Sequence, residues 1–146
     1  ALAETTGVTV VIENTAGQGA YLGSKPEELQ RIIAGVNDKT RIGFCIDTGH
    51  TFAAGYDLRD ESIFEAFFGE LENRIGLNYL RGMHLNDSKS ALASHHDRHE
   101  SLGKGHIGWP LFERIARDAR FENIPLIIET PDDTLWPEEI LHLLNA

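Results

Sequence analysis

Four short apolar runs, each followed by a helix-like segment, constrain this chain most. Each run ends in a side chain that can bind a metal. Val8–Ile12 reads VTVVI and ends at Glu13; Ile42–Ile46 ends at Asp47. Leu80–Leu85 carries His84, and Leu126–Ile128 ends at Glu129. An apolar run without alternation is the pattern of a strand buried on both faces. Between the runs, apolar residues recur at helical spacing. Leu29, Ile32, Ile33 and Val36 follow a capping-box pattern at Ser24–Glu27, with Pro26 where a first turn tolerates it. Ile63, Phe64, Phe67, Phe68, Leu71 and Ile75 follow Asp60 as a cap. Leu111, Phe112, Ile115 and Ala116 follow Gly108, and Ile140, Leu141, Leu143 and Leu144 follow Pro137. Strand and helix alternating four times predict an α/β fold, a parallel sheet covered by helices.

Glu13, Asp47, His84 and Glu129 stand 34, 37 and 45 residues apart, each step about one βα unit of roughly 30 or more residues. In a (β/α)8 barrel the chemistry sits at the C-terminal ends of the strands. Four successive strand ends with a potential ligand point to a metal site. The stretch Arg81–Gly108 adds to it: a strand carrying His84 runs into a polar segment with Asp97, Arg98 and His99. Imidazole and carboxylate donors suit zinc or manganese. Asp97 and His99, two apart, share one face of an extended segment. Asp47 and His50, three apart on the loop Thr48–Tyr56, can face two neighbouring ions. A full barrel needs eight strands and typically about 250 residues. Four units in 146 residues, with an abrupt start, read as the C-terminal half of a TIM barrel rather than an open four-stranded sheet. Residues 1–146 read as a single domain without linker or low-complexity segment.

Composition narrows the partners. Hydrophobic residues at 41% and charged residues at 25% are ordinary globular values. The net charge of −10 argues against broad attraction to nucleic acid. Divalent ions in a carboxylate-rich site reverse the local charge, so an acidic chain can still grip one phosphate there. No apolar run approaches the ~20 residues that span a bilayer, so no membrane association is expected. The single cysteine, Cys45, reads as a small core residue, which fits a reducing cytoplasm.

The motifs ENTAGQG at Glu13–Gly19 and GFCIDTGHTFAAGYD at Gly43–Asp57 resemble bacterial endonuclease IV. So do GMHLNDSKS at Gly82–Ser90, DRHESLGKGHIG at Asp97–Gly108 and IIET at Ile127–Thr130. The resemblance runs the length of the chain. It implies a zinc-dependent apurinic/apyrimidinic endonuclease of base-excision repair, a TIM barrel holding three zinc ions. Glu13 then resembles the carboxylate bridging the first and second ions. Asp47, His84 and Glu129 resemble ligands of the second. His50, Asp97 and His99 resemble the third ion's set. Glu13 and Glu129 are the expected catalytic residues. The family's first zinc also takes two histidines from earlier strands, which this sequence does not contain, so about two ligand sets are complete here. Gly49 stands where the family commonly has cysteine. The implied partner is double-stranded DNA with an abasic site, in a bacterial cytoplasm. The implied reaction is hydrolysis of the phosphodiester 5′ to that site, leaving a 3′-hydroxyl and a 5′-deoxyribose phosphate.

Other polar residues have plainer readings. His95 and His96 read as solvated loop residues, and His106 and His142 as structural or exposed. Arg98 and Lys104 sit in the site loop and are the candidates for phosphate contact, against an equal reading as exposed charges. Trp109 and Trp136 read as packing. Two other functions fit parts of the pattern. Glu13, Asp47, His84 and Glu129 alone also resemble the metal set of xylose-isomerase-like sugar isomerases and epimerases; His50, Asp97 and His99 separate the two. An inert metal-binding half-barrel is the third reading. A half-barrel is expected to pair with a missing N-terminal half or to self-associate, because it leaves sheet edges open.

Overall fold

The computed structural model describes residues 4–146; residues 1–3 of the expected polar tail lie outside the described residues. A four-stranded parallel sheet runs in the order β1 (Val10–Glu13), β2 (Ile42–Asp47), β3 (Leu80–His84) and β6 (Leu126–Ile127). Strands adjacent in the sheet are joined by helical crossovers, the connection that parallel pairing demands. The expected strand–helix alternation is therefore the observed plan. Asp47 pairs in register with His84, Glu13 with Cys45 and His84 with Ile127. The strands are parallel, so their C-terminal ends lie together at one end of the sheet, which gathers Glu13, Asp47, His84 and, two residues past β6, Glu129 there.

Of the four strands in this sheet, β2 alone is buried along its whole length. Contrary to its apolar sequence, β1 is not buried on both faces: Val10 is 37% and Val11 43% exposed. The reason is its place at the edge of the sheet, with β2 as its single neighbour. At the opposite edge β6 leaves Ile127 exposed.

Helix α1 (Pro26–Ala34) buries Leu29 and Ile33. Its cap differs from the expected box. Lys25 is the N-cap and offers no side-chain bond. Glu28 instead reaches back to accept from the Gly23 and Ser24 amides at 2.9 and 3.0 Å. Helix α3 (Glu61–Arg74) starts as expected, with the Asp60 carboxylate accepting from the Ser62 and Ile63 amides. It buries Phe64, Phe67, Phe68 and Leu71, and the Phe68 ring lies tilted against Phe64 and Phe121, with centroids 4.8 Å apart in each pair. These rings join Phe44, Ile46, Met83, Leu85, Phe112 and Ile115 in one core cluster. Large aromatic area removed from water dominates such a core.

Two segments expected to be loops are ordered. Residues after Asp47 form a short helix, α2 (Thr48–Ala53), because the Asp47 carboxylate accepts from the His50 amide at 2.7 Å and caps it. The long polar loop folds into an antiparallel ribbon, β4 (Asp87–Ser88) with β5 (His99–Glu100). Beyond it, α4 (Trp109–Arg117) buries Leu111, Phe112 and Ile115 in the core, and α5 (Trp136–Leu144) packs on α4 but leaves Ile140, Leu141 and Leu144 exposed, contrary to its apolar spacing. Trp109 stacks on His142 at 3.8 Å, and His142 bonds to Glu113 at 2.9 Å, so His142 has the structural role expected of it. Trp136, expected to pack, is instead 40% exposed and donates to the Thr130 carbonyl. Among the described residues, no helix is long and apolar enough to cross a membrane.

Candidate metal centre

The register of β2 and β3 sets Asp47 beside His84, with Glu13 one strand to one side and Glu129 to the other. His84 Nδ1 lies 3.1 Å from both Glu13 Oε1 and Glu129 Oε2, and 3.9 Å from Asp47 Oδ2. Donor atoms about 2.0–2.2 Å from one tetrahedral zinc stand a little over 3 Å from one another. The four strand-end donors all lie within 4.8 Å of one another, looser than that spacing at Asp47, and could close on one ion.

A second set lies beside the first and shares Asp47. The donor atoms of Asp47, His50 and His99 also lie within 4.8 Å of one another. His50 comes from the first turn of α2 and His99 from β5. Asp97 stands against both, with Oδ2 3.2 Å from His50 Nε2 and Oδ1 3.3 Å from His99 Nε2. The two-residue spacing of Asp97 and His99 thus brings them to one point, as their extended segment implies. The seven residues expected from the sequence are all brought together, in two sets meeting at Asp47.

The supports of these donors follow the usual order of a metal site, in which each ligand is held by a further hydrogen bond. His50 Nδ1 lies 2.9 Å from the Asn14 carbonyl. With the proton on Nδ1, its Nε2 is left free as a donor toward a metal beside Asp97. Asn86 Nδ2 donates to Asp47 Oδ2 at 2.6 Å, and Asn86 Oδ1 accepts from the Glu129 amide at 2.9 Å. Asn14 Oδ1 accepts from the Asp47 amide at 2.6 Å. Asn14 and Asn86 are buried supports that the sequence reading missed. The signal for each is an amide one or two residues past a strand-end ligand.

Electrostatics favour a cation. Burial pushes the Asp47 carboxyl above its usual range, against the pull of His50 and His99. A hydrogen bond from His50, helped by the charge of His84, holds the Glu13 carboxyl below its usual range. Burial opposes protonation of His50, but the Glu13 hydrogen bond and the charges of Asp47 and Asp97 outweigh it and push the imidazole up to about 9. Glu13, Asp47 and Asp97 thus favour positive charge beside His50. Among the described residues, buried His99 Nε2 makes no well-aligned hydrogen bond, although Asp97 Oδ1 stands 3.3 Å and Asp47 Oδ2 3.7 Å away. Divalent-metal ligation accounts for such an atom, and the residues present fit the ion.

The remaining expectations divide. Cys45 is a buried core residue, and burial pushes its thiol up to about 12, far from a nucleophile. Arg98 is exposed and donates to the Asp97 carbonyl at 2.6 Å. Lys104 is also exposed, and its charge helps hold the Asp132 carboxyl below its usual range. His95 and His96 are both exposed, as expected, and His95 Nδ1 also lies 3.1 Å from the Ala16 carbonyl of a neighbouring loop. At Gly49 a Cβ would lie 3.2 Å from Asp47 Oδ1 and 3.4 Å from His99 Cδ2. That position therefore touches two donors without being one.

Comparison with known proteins agrees with this geometry. The sequence model for the xylose isomerase-like TIM barrel family matches residues 1–146. The crystal structure of endonuclease IV from Thermus thermophilus superposes with a TM-score of 0.77 at 35% identity, covering 94% of this chain and 47% of that one. A second solved structure, AsfvAP:AG, matches in fold with a TM-score of 0.68 at 21% identity, covering 96% of this chain and 51% of that one. The chain spans about half the length of these matched structures. It belongs to the xylose isomerase-like TIM barrel family, as an endonuclease IV-like part of the barrel.

Proposed function

We propose that this chain is the C-terminal half-barrel of a zinc-dependent endonuclease that hydrolyses the DNA phosphodiester 5′ to an abasic site, giving a 3′-hydroxyl and a 5′-deoxyribose phosphate. The observation that carries the reading is the second donor set, Asp47, His50 and His99 with Asp97, beside the strand-end set. One set would serve a sugar isomerase equally well. Two adjacent sets suit phosphodiester hydrolysis, in which attacking and leaving oxygens both need charge stabilisation.

Bound divalent ions supply a nucleophile at neutral pH and clamp both oxygens of an in-line displacement. The residues of this chain do the rest. Glu13 Oε1 lies 3.1 Å from His84 Nδ1 in the strand-end set and 3.2 Å from His50 Nδ1, the ring nitrogen turned away from Asp97. It would belong to the strand-end set and leave a carboxylate oxygen for a further ion supplied with donors from the rest of the barrel. Asp47, fully buried and fixed by Asn86, is the shared donor. Asn86 also fixes the Glu129 backbone, so Glu129 and Asp47 keep a constant separation. The Glu129 side chain is about half-exposed, so as a ligand it would remain accessible to a phosphate arriving at the strand ends. Arg98 and Lys104, both exposed, are the phosphate-positioning candidates.

The test is a duplex bearing one tetrahydrofuran abasic mimic, set beside an undamaged duplex and a panel of ketoses. The protein is supplied with the remaining barrel and zinc. Nicking of the mimic alone is expected. Turnover of a ketose without nicking would transfer the site to the sugar isomerases.

A further inference from the structure

Asp87 lies just past the end of β3 and takes no part in either donor set, yet it is fully buried. No ion pair among the described residues includes it. Its Oδ1 accepts from the Ser88 and Ile107 amides, both at 2.8 Å. Its Oδ2 accepts from the Gly103 and Gly108 amides at 3.0 and 3.1 Å. Four backbone donors thus converge on one carboxylate, three of them from the far end of the loop that carries Asp97 and His99. A buried carboxylate needs such partners, and the donors in turn would be left unsatisfied without it.

The loop has three legs, and Asp87 ties the outgoing to the returning one. Asp87 and Ser88 form β4 and pair with β5, where Ser88 stands opposite His99. Lys89 N donates to the Arg98 carbonyl at 2.9 Å, extending the ribbon toward Asp97. The His106 amide donates to the Ser88 carbonyl at 2.9 Å, so the returning leg lies on the other side of β4. Gly105 lies so close that a Cβ there would collide with Asp87 Oδ1 and the Ser88 carbonyl. On the strand side, Asp87 is held by its neighbour Asn86, which bonds to Asp47 and Glu129. The carboxylate is therefore a rivet between the C-terminal end of the sheet and the ribbon that presents Asp97 and His99.

We infer that Asp87 is a positioning residue for the second donor set: it fixes the ribbon so that His99 and Asp97 stand against His50 and Asp47. This rests on the metal-centre reading above. The strand-end set, anchored on β1, β2, β3 and the residues after β6, does not depend on the ribbon. Loss of Asp87 should separate the two sets, weakening one ion and sparing the other.

Two variants test it. Asp87→Asn keeps the shape but turns an NH2 toward two of the four amides. Gly105→Ala keeps the Asp87 charge and displaces the carboxylate sterically. Zinc binding to the wild-type chain and both variants is followed by calorimetry, with cobalt(II) absorption as a report on donor geometry and thermal unfolding of the zinc-free proteins as a control. In both variants, affinity for one ion should fall on the order of 10- to 100-fold, the cost usually seen when an outer support of a metal ligand is lost. The other ion should bind as in wild type. Two ions bound with unchanged affinity in folded variants would overturn the role of Asp87 alone. Two variants that fail to fold without zinc would make Asp87 a fold-holding residue and overturn it as well. A wild-type chain that binds no zinc would reject the metal centre itself, and this inference with it.

Discussion

His84→Ala should remove one zinc ion and lower nicking at an abasic mimic by on the order of a thousandfold or more, in the protein completed by the rest of the barrel. His84 Nδ1 is the strand-end donor closest to both Glu13 and Glu129. Without it, three carboxylates remain around one position, with no neutral nitrogen donor. Their mutual repulsion is then relieved by protonation or by movement rather than by a well-held ion. Asp47 also serves the second set, so that ion should stay, partly occupied. Losing one ion of a multi-metal site withdraws several kcal/mol of transition-state stabilisation, and about 1.4 kcal/mol is tenfold in rate. His84 lies at the end of β3 and is only partly buried, so the fold should persist. Zinc content and rate are measured on the same preparation. Full zinc content with an unchanged rate would remove His84 from the centre.

The second large effect concerns completeness. This chain alone should nick the mimic at least about a thousandfold more slowly than when mixed with a separately expressed N-terminal half-barrel and zinc. The two edges of its sheet, β1 and β6, have no strand beyond them among the described residues. Val8, Val10 and Val11 are exposed at one. At the other, Leu126, Ile127, Ile128, Trp136, Ile140 and Leu144 line an apolar groove of about 620 Å³, away from the donors. Open edges flanked by apolar surface invite pairing. The same features should make the isolated chain associate with itself, as a concentration-dependent mass in sedimentation. Such a dimer would have no further donors for Glu13 to share with an ion on its other side. A rate for this chain alone equal to the mixture's would contradict the half-site view.

What the sequence made legible, and what it did not, follows from the range of the interactions involved. Glu13, Asp47, His84 and Glu129 were readable because each ends a contiguous apolar run, and parallel strands carry their C-terminal ends to one end of the sheet. The exposure of β1 was not readable, because edge position depends on what pairs beyond it. Helix α2 was hidden because TGHTFA has no apolar period; the Asp47 side chain starts it. The β4–β5 ribbon is two residues a side, too short for a period of two to register. Asn86 and Asp87 lie within a polar stretch, where nothing local separates a buried polar residue from a solvated one. The cap of α1 moved from Ser24 to Glu28 for a similar reason, since several local polar partners compete for the same amides.

Zinc stoichiometry of the chain purified without chelators tests the metal centre most directly. Elemental analysis should find about two ions per chain, one for each donor set. A chain that carries no zinc, and takes up none when it is supplied, would contradict the reading of Glu13, Asp47, His50, His84, Asp97, His99 and Glu129 as ligands.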